Sequence, residues 1–153
     1  ALIKDQDPVL GVVYAPAKED LYYASLGNGA VLKNASGERK IKCNEFTDAD
    51  ENLTIVCSRS HINEETNNFI SKYVNHNKVA KGSSLKFLII ANGEAEVYPR
   101  LGPTMEWDTA AAHMVIQEAG GSVINVETNE SLKYNKVSLL NPYFIAYGDR
   151  KEK

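Results

Sequence analysis

Six side chains in this sequence are of types that can do chemistry and sit where chains tend to expose them. They are one carboxylate, Asp108; two cations, Lys86 and Arg100; two hydroxyls, Ser83 and Ser84; and one imidazole, His61. Asp108 falls in the first turn of a helix expected over 106–119, where the dipole favours a carboxylate and free N–H groups also welcome phosphate. Arg100 follows Tyr98-Pro99 at the exit of a strand, and its guanidinium fork matches a phosphate or a carboxylate. Gly82-Ser83-Ser84-Leu85-Lys86 brings hydroxyls, backbone amides and one ammonium to a helix start, without the G-x-x-x-x-G-K-[ST] pattern of a P-loop. His61, after Ser58-Arg59-Ser60, could stack on a base or act as an acid or base. Each also has a plain structural reading: a helix-starting Asp, a solvated Arg, a capping Ser, a His that opens the next helix. Together they describe an anion-binding cleft better than a base-catalysed hydrolase, and no G-x-S-x-G elbow is present. His76 and His113 read as ordinary, and Asp108 is the only obvious carboxylate for a divalent cation.

Those residues need elements to hold them. Val9 to Tyr14 is β-branched and apolar and reads as a well-buried strand; Leu21 to Ala24, Ala30 to Leu32 and Arg39 to Lys42 complete a meander. Gly27-Asn28-Gly29 and Asn34 to Gly37 supply its turns. Glu45 to Asn52 is polar and reads as a connection. Leu53 to Cys57 is a strand, and a helix follows, capped by Asn63 and burying Phe69, Ile70, Tyr73 and Val74. Lys78 to Ala80 is a short strand, Leu85 to Ala91 a helix closed by Asn92-Gly93, and Ala95 to Tyr98 a strand. The helix over 106–119 ends at Gly120-Gly121, and Ser122 to Val126 and Tyr143 to Tyr147 close the chain. From Leu53 onward, strands alternate with helices, which is an α/β layer. Trp107 before Asp108, with small residues behind, suggests close packing around something.

Composition limits the classes. The chain has 153 residues, 43% hydrophobic and 24% charged, enough for one ordinary domain with a real core. A net charge of -3 argues against non-specific binding of nucleic acid or an anionic membrane. No apolar run approaches the roughly 20 residues that span a bilayer, so no transmembrane segment is expected. Cys43 and Cys57 lack C-x-x-C spacing, which makes reduced thiols the default and Cys57 a small core hydrophobe. The opening Ala1-Leu2-Ile3 resembles the tail of a strand, consistent either with a processed terminus or with a start inside a larger protein.

Trp107-Asp108-x-Ala110-Ala111, ending in Glu118-Ala119-Gly120-Gly121, resembles the C-terminal signature of the inositol monophosphatase superfamily. Within it, three stretches are similar to the CysQ-type 3′(2′),5′-bisphosphate nucleotidases. They are Ser58-Arg59-Ser60-His61, Gly82-Ser83-Ser84-Leu85-Lys86-Phe87, and Tyr98-Pro99-Arg100-x-Gly102-Pro103-Thr104-x-x-Trp107-Asp108. The run Pro8 to Pro16 also fits, so the resemblance covers nearly the whole chain. It implies a layered α/β/α/β/α sandwich of the sugar-phosphatase type, present as its C-terminal portion plus strands of the N-terminal sheet. Residues 1–51 would be the meander of that sheet and 52–153 the C-terminal α/β domain.

The resemblance also implies a lithium-sensitive, Mg²⁺-dependent phosphatase, cytoplasmic or peripheral at the inner membrane face. It would take the 3′-phosphate from adenosine 3′,5′-bisphosphate to give AMP, clearing a by-product of sulfate assimilation. Asp108 would be the catalytic metal ligand and touch substrate. Ser83, Lys86 and Arg100 would hold the remaining phosphate and ribose, and His61 would lie near the adenine. The chain departs from the pattern in lacking the family's helical Glu and its Asp-Pro-x-Asp-Gly-Thr loop: Asp7-Pro8-Val9-Leu10 has Leu10 where the second Asp would stand. One carboxylate cannot position the ions of a metal-assisted attack. The expectation is a chain nearly inactive alone, partnered by the N-terminal part of the same enzyme, with exposed strands prone to association. An inositol- or fructose-bisphosphate-type sugar phosphatase and a non-catalytic nucleotide-binding domain are the rival readings.

Overall fold

Glycine and asparagine separate the first five strands. β1 (Leu2–Lys4), β2 (Asp7–Ala15), β3 (Asp20–Ser25), β4 (Ala30–Asn34) and β5 (Gly37–Ile41) form an antiparallel meander in chain order. Gly27 and Gly29 turn β3 into β4 at φ values of 78° and 80°, a region closed to most residues with a Cβ. The computed structural model describes residues 1–58 and 63–151.

β6 (Glu45–Phe46), β7 (Thr54–Cys57), α1 (Glu64–Ile70), β8 (Asn77–Ala80), α2 (Leu85–Ala91) and β9 (Val97–Arg100) come next. A 3₁₀ turn (Glu106–Asp108), α3 (Ala110–Glu118), β10 (Ser122–Asn125), β11 (Phe144–Tyr147) and β12 (Asp149–Arg150) complete the chain. The second sheet has the order β10-β11-β9-β7-β8. In it β7 runs parallel to both β8 and β9, while β11 is antiparallel to β9 and to β10. β6 and β12 pair in parallel as a separate ribbon.

The helices α2 and α3 fill the space between the sheets. From Lys86 to Ala91 every residue of α2 is buried, as a helix covered on all sides must be. The main core joins Tyr22, Ala24 and Leu32 of the meander to Phe87 and Leu88 of α2, to Met114 and Val115 of α3, and to Phe144 of β11. On the far side of the second sheet, α1 packs Ile70 against Ile55, Val97 and Ile145. The result is a mixed α/β stack of sheet, helices, sheet, helix.

Two contacts tie α3 to the meander. Glu118 accepts hydrogen bonds from the backbone N–H groups of Gly27 and Gly29 at 2.9 and 2.7 Å, so the end of α3 grips the β3–β4 turn. At Gly11 the strand comes so close to α3 that a Cβ would stand 2.2 Å from the Ala111 carbonyl oxygen and 2.9 Å from Met114 Cβ. Gly11→Ala must push β2 off the helix, and a loss of about 2 kcal/mol is expected. Urea unfolding should show this as a lower midpoint at unchanged slope; an unchanged midpoint would contradict the close approach.

Some expectations need correction. β2 is buried on one face only: Leu10, Val12 and Tyr14 are 41%, 50% and 55% exposed, because they point to the outer face of the meander. The helix expected over 106–119 is interrupted at Thr109, whose ψ of -37° accompanies a φ of -124°. α1 stops at Ile70, so Val74 lies beyond its buried stripe and is exposed, while Ile70 and Tyr73 are buried. The polar stretch 45–52 contains β6, anchored by buried Phe46. Trp107 is 67% exposed, not enclosed by close packing among the described residues.

Candidate active site

Parallel strands open ligand sites beyond their carboxyl ends, where successive loops diverge. Here β7 leads into Ser58, β8 into Lys81 to Ser84, and β9 ends on Arg100. Those exits meet the 3₁₀ turn that carries Asp108. The cleft between them, about 220 Å³, is lined by Ser83, Lys86, Arg100 and Asp108 together with Ser58, Ser84, Tyr98, Thr104 and Thr109. Five of the six side chains singled out from sequence, Ser83, Ser84, Lys86, Arg100 and Asp108, thus come together in one cavity. The sixth, His61, lies outside the described residues.

Lys86 is the least ordinary of them. It is 6% exposed, on the first turn of α2, and its Nζ donates to the Ser83 carbonyl oxygen at 2.9 Å and lies 3.5 Å from that of Lys81. The ammonium also sits 5.2 Å from the centre of the Tyr98 ring. Burial pushes its pKa down to about 8, and the neighbouring Arg100 guanidinium pushes the same way. Ser83 keeps its carbonyl aimed at Lys86 with φ at +50°, a left-handed conformation uncommon for a residue with a Cβ.

Arg100 donates from Nη2 to the Pro103 carbonyl oxygen at 2.7 Å, which curls the loop after β9 around its own guanidinium. Its Nε is buried with no hydrogen-bond partner among the described residues. Neither Lys86 nor Arg100 forms an ion pair among the described residues. Two neighbouring cations without a carboxylate partner among the described residues make the cleft a place that favours an anion.

Asp108 is exposed to the cleft, and its Oδ2 accepts from the Met105 backbone N–H at 2.9 Å. The turn is fastened from behind by Glu106, whose carboxylate accepts from the Asn135 N–H at 2.6 Å, the Lys136 N–H at 3.2 Å and the Lys136 ammonium. Burial alone would raise the Glu106 pKa, but those donors outweigh it and hold the carboxyl below its usual value. The floor is aromatic: Phe87, Tyr98 and Phe144 pack with ring centroids 5.3 to 6.0 Å apart.

As a metal site the cleft is incomplete. Among the described residues no group of three or more His, Cys, Asp or Glu could hold an ion. Oδ1 of Asp108, which accepts no hydrogen bond among the described residues, fits one ligand position of a hard cation that takes its other ligands from substrate phosphate, water or further carboxylates. Sequence reasoning missed Tyr98, Thr104 and Thr109 as lining residues. Tyr98 looks like core in a strand, and the two threonines matter only because the loops fold over the same point.

Comparison with known proteins agrees with this fold. A family model described as the inositol monophosphatase family matches residues 1–152. The 3′(2′),5′-bisphosphate nucleotidase CysQ of Salmonella typhimurium is 41% identical over 145 residues, covering 94% of this chain and 56% of that protein. The crystal structure of CysQ from Bacteroides thetaiotaomicron superposes with a TM-score of 0.88 at 37% identity, over 99% of this chain and 62% of that one. An inositol monophosphatase from Zymomonas mobilis shares the fold with a TM-score of 0.78 at 20% identity, over 97% of this chain and 56% of that one. The chain therefore spans a little over half the length of the relatives it matches.

Proposed function

Because the chain belongs to the inositol monophosphatase family, whose members are generally metal-dependent phosphatases, we propose that its cleft is the substrate half of a phosphatase acting on adenosine 3′,5′-bisphosphate. The reaction releases the 3′-phosphate and leaves AMP, in the cytoplasm, where it would clear a by-product of sulfate assimilation. The observation that carries this reading is the convergence of Lys86 and Arg100, without carboxylate partners among the described residues, beside Asp108 in one cleft. A substrate with two phosphates suits that arrangement: one is held by the cations while the other lies toward the carboxylate.

The residues divide the work. Arg100 presents a planar fork and Lys86 a point charge to the phosphate that stays, and Ser83 and Ser84 offer hydroxyls to its oxygens or to the ribose. His61 is assigned to the adenine side. Asp108 would hold one Mg²⁺, which when bound supplies Lewis-acid polarisation and an activated water. Thr104 lines the same cleft. The further carboxylates such chemistry needs are not in this cleft, and the relatives are long enough to carry them in the portion this chain does not match. We therefore expect the N-terminal part of the same enzyme to be the partner of this chain.

The single carboxylate favours a second reading, nucleotide binding without hydrolysis by these 153 residues alone. One titration series separates the possibilities. Adenosine 3′,5′-bisphosphate, inositol 1-phosphate and fructose 1,6-bisphosphate are titrated into the chain with and without Mg²⁺, and phosphate release is followed in parallel. The bisphosphorylated nucleotide should bind best, Mg²⁺ should tighten it at least fivefold, and Asp108→Asn should remove that gain. Release should be slow or absent. Preferred binding of either sugar phosphate would overturn the substrate assignment, and rapid release would overturn the need for further carboxylates.

A further inference from the structure

The Asp108 side chain is exposed and, among the described residues, held by one hydrogen bond, from the Met105 N–H, so the loop that bears it is set by other contacts. The segment just before β11 does this. Glu106 N–H donates to the Leu139 carbonyl at 2.9 Å, Met105 and Leu140 form an antiparallel bridge, and Asn141 N–H donates to the Thr104 carbonyl at 2.8 Å. The Asn141 side chain adds a clamp across the turn. Its Nδ2 donates to the Met105 carbonyl at 2.9 Å and reaches Thr109 Oγ1 at 3.1 Å and Thr104 Oγ1 at 3.2 Å. The Met105 carbonyl can only accept, so the amide orientation follows from the geometry.

The clamp has a visible cost. Asn141 is 4% exposed, and its Oδ1 is buried without a hydrogen-bond partner. Among the described residues only Arg100 Nε shares that condition, and Arg100 lines the cleft. A buried amide that satisfies only its donor end is poor packing material, costing about 1–3 kcal/mol for the orphaned acceptor. An apolar side chain of similar size would fill the space, yet could not join the residues on both sides of Asp108.

We infer that Asn141 is a positioning residue: by tying Met105 and Thr104 to Thr109 across the turn, it fixes Asp108 against Met105. What Asp108 then does rests on the phosphatase reading, but its placement does not. The test uses this chain with Asn141→Leu, and with Asn141→Asp, which keeps the shape and loses the donor. Amide hydrogen exchange is read at Met105, whose N–H is bound by Asp108, and at Tyr23 in β3 as an internal reference. Adenosine 3′,5′-bisphosphate is titrated with and without Mg²⁺.

Both variants should speed Met105 exchange at least tenfold with Tyr23 unchanged. Both should lose the Mg²⁺-dependent gain in affinity while the metal-free affinity stays within threefold. Unchanged Met105 exchange in the Asn141→Asp protein overturns the inference. So does a parallel rise at Met105 and Tyr23, which would make Asn141 a stability residue only. If Mg²⁺ has no effect even on the unaltered chain, the assignment of Asp108 as a metal ligand within these residues fails, and the exchange data still decide whether Asn141 places Asp108.

Discussion

Replacing Arg100 with alanine is expected to weaken binding of adenosine 3′,5′-bisphosphate to this chain roughly 10- to 100-fold, a loss of about 1.5–3 kcal/mol for charge-assisted hydrogen bonds. The guanidinium lies at the C-terminal end of β9 and lines the cleft with Lys86, where its remaining donors can meet a phosphate. Arg100→Lys should recover little, because an ammonium cannot offer two parallel donors to a planar pair of oxygens. Lys86→Ala should cost a similar factor, and the double variant less than the product, since both residues hold one anion. The Lys86 amine, held down to about 8, loses its charge as pH rises through that value. Affinity should therefore fall between pH 7 and 9 in the unaltered chain and stay flatter in Lys86→Arg. Calorimetric titration measures all of these. Full affinity in Arg100→Ala would remove the cleft from consideration as the phosphate site.

The ease with which this site could be foreseen varied from residue to residue. α2 matches its expected span because its limits are local: Ser84 before it, and Asn92 with Gly93 at φ 74° behind it. The meander was readable for the same reason, through its Gly and Asn turns. What escaped depends on distant parts of the chain. β6 is two residues long and exists because β12, more than a hundred residues later, lies beside it. The exposure of Leu10, Val12 and Tyr14 reflects which face of the meander meets α3, and a run of apolar residues cannot tell one buried face from two.

The candidate site shows the same division. Ser83, Lys86, Arg100 and Asp108 could each be singled out, yet spacing alone gave no reason to prefer function over capping or solvation. Their family resemblance named them, and the topology explains why they meet: three loops leave the same end of parallel strands. Asn141 had no signal at all, since its partners are some 30 residues earlier in the chain. Glu118 is similar, a carboxylate at the wrong end of a helix dipole until the amides of Gly27 and Gly29 arrive.

His113 was read as ordinary, and burial makes it otherwise. It is 1% exposed on α3, with Nδ1 2.8 Å from the Tyr134 hydroxyl and Nε2 3.5 Å from Ser131 Oγ. Burial pushes the imidazole from 6.5 down to about 4; the Asp7 carboxylate opposes this and Lys133 reinforces it. The unfolded chain therefore takes up a proton near pH 6.5 that the folded chain refuses until about pH 4. Stability from this group is complete above pH 6.5 and is lost as pH falls through that window, at up to about 1.4 kcal/mol per pH unit. Between pH 7 and 4.5 the unfolding free energy should drop by about 2.5 kcal/mol from His113 alone. Glu106, whose carboxyl is held below its ordinary value, begins to add its own loss as pH nears the ordinary glutamate range and loses more below it, so the His113 contribution is read as a difference between two proteins. Urea midpoints at the two pH values, for the unaltered chain and for His113→Gln, isolate the effect. The glutamine keeps a hydrogen-bonding group near Tyr134 and cannot titrate, so its loss across the window should be smaller by about 2.5 kcal/mol even if its stability at pH 7 is lower. Equal slopes in the two proteins would mean that the folded state accommodates the charged imidazole, and would point to an opening of the Tyr134–His113–Ser131 contact at mildly acidic pH.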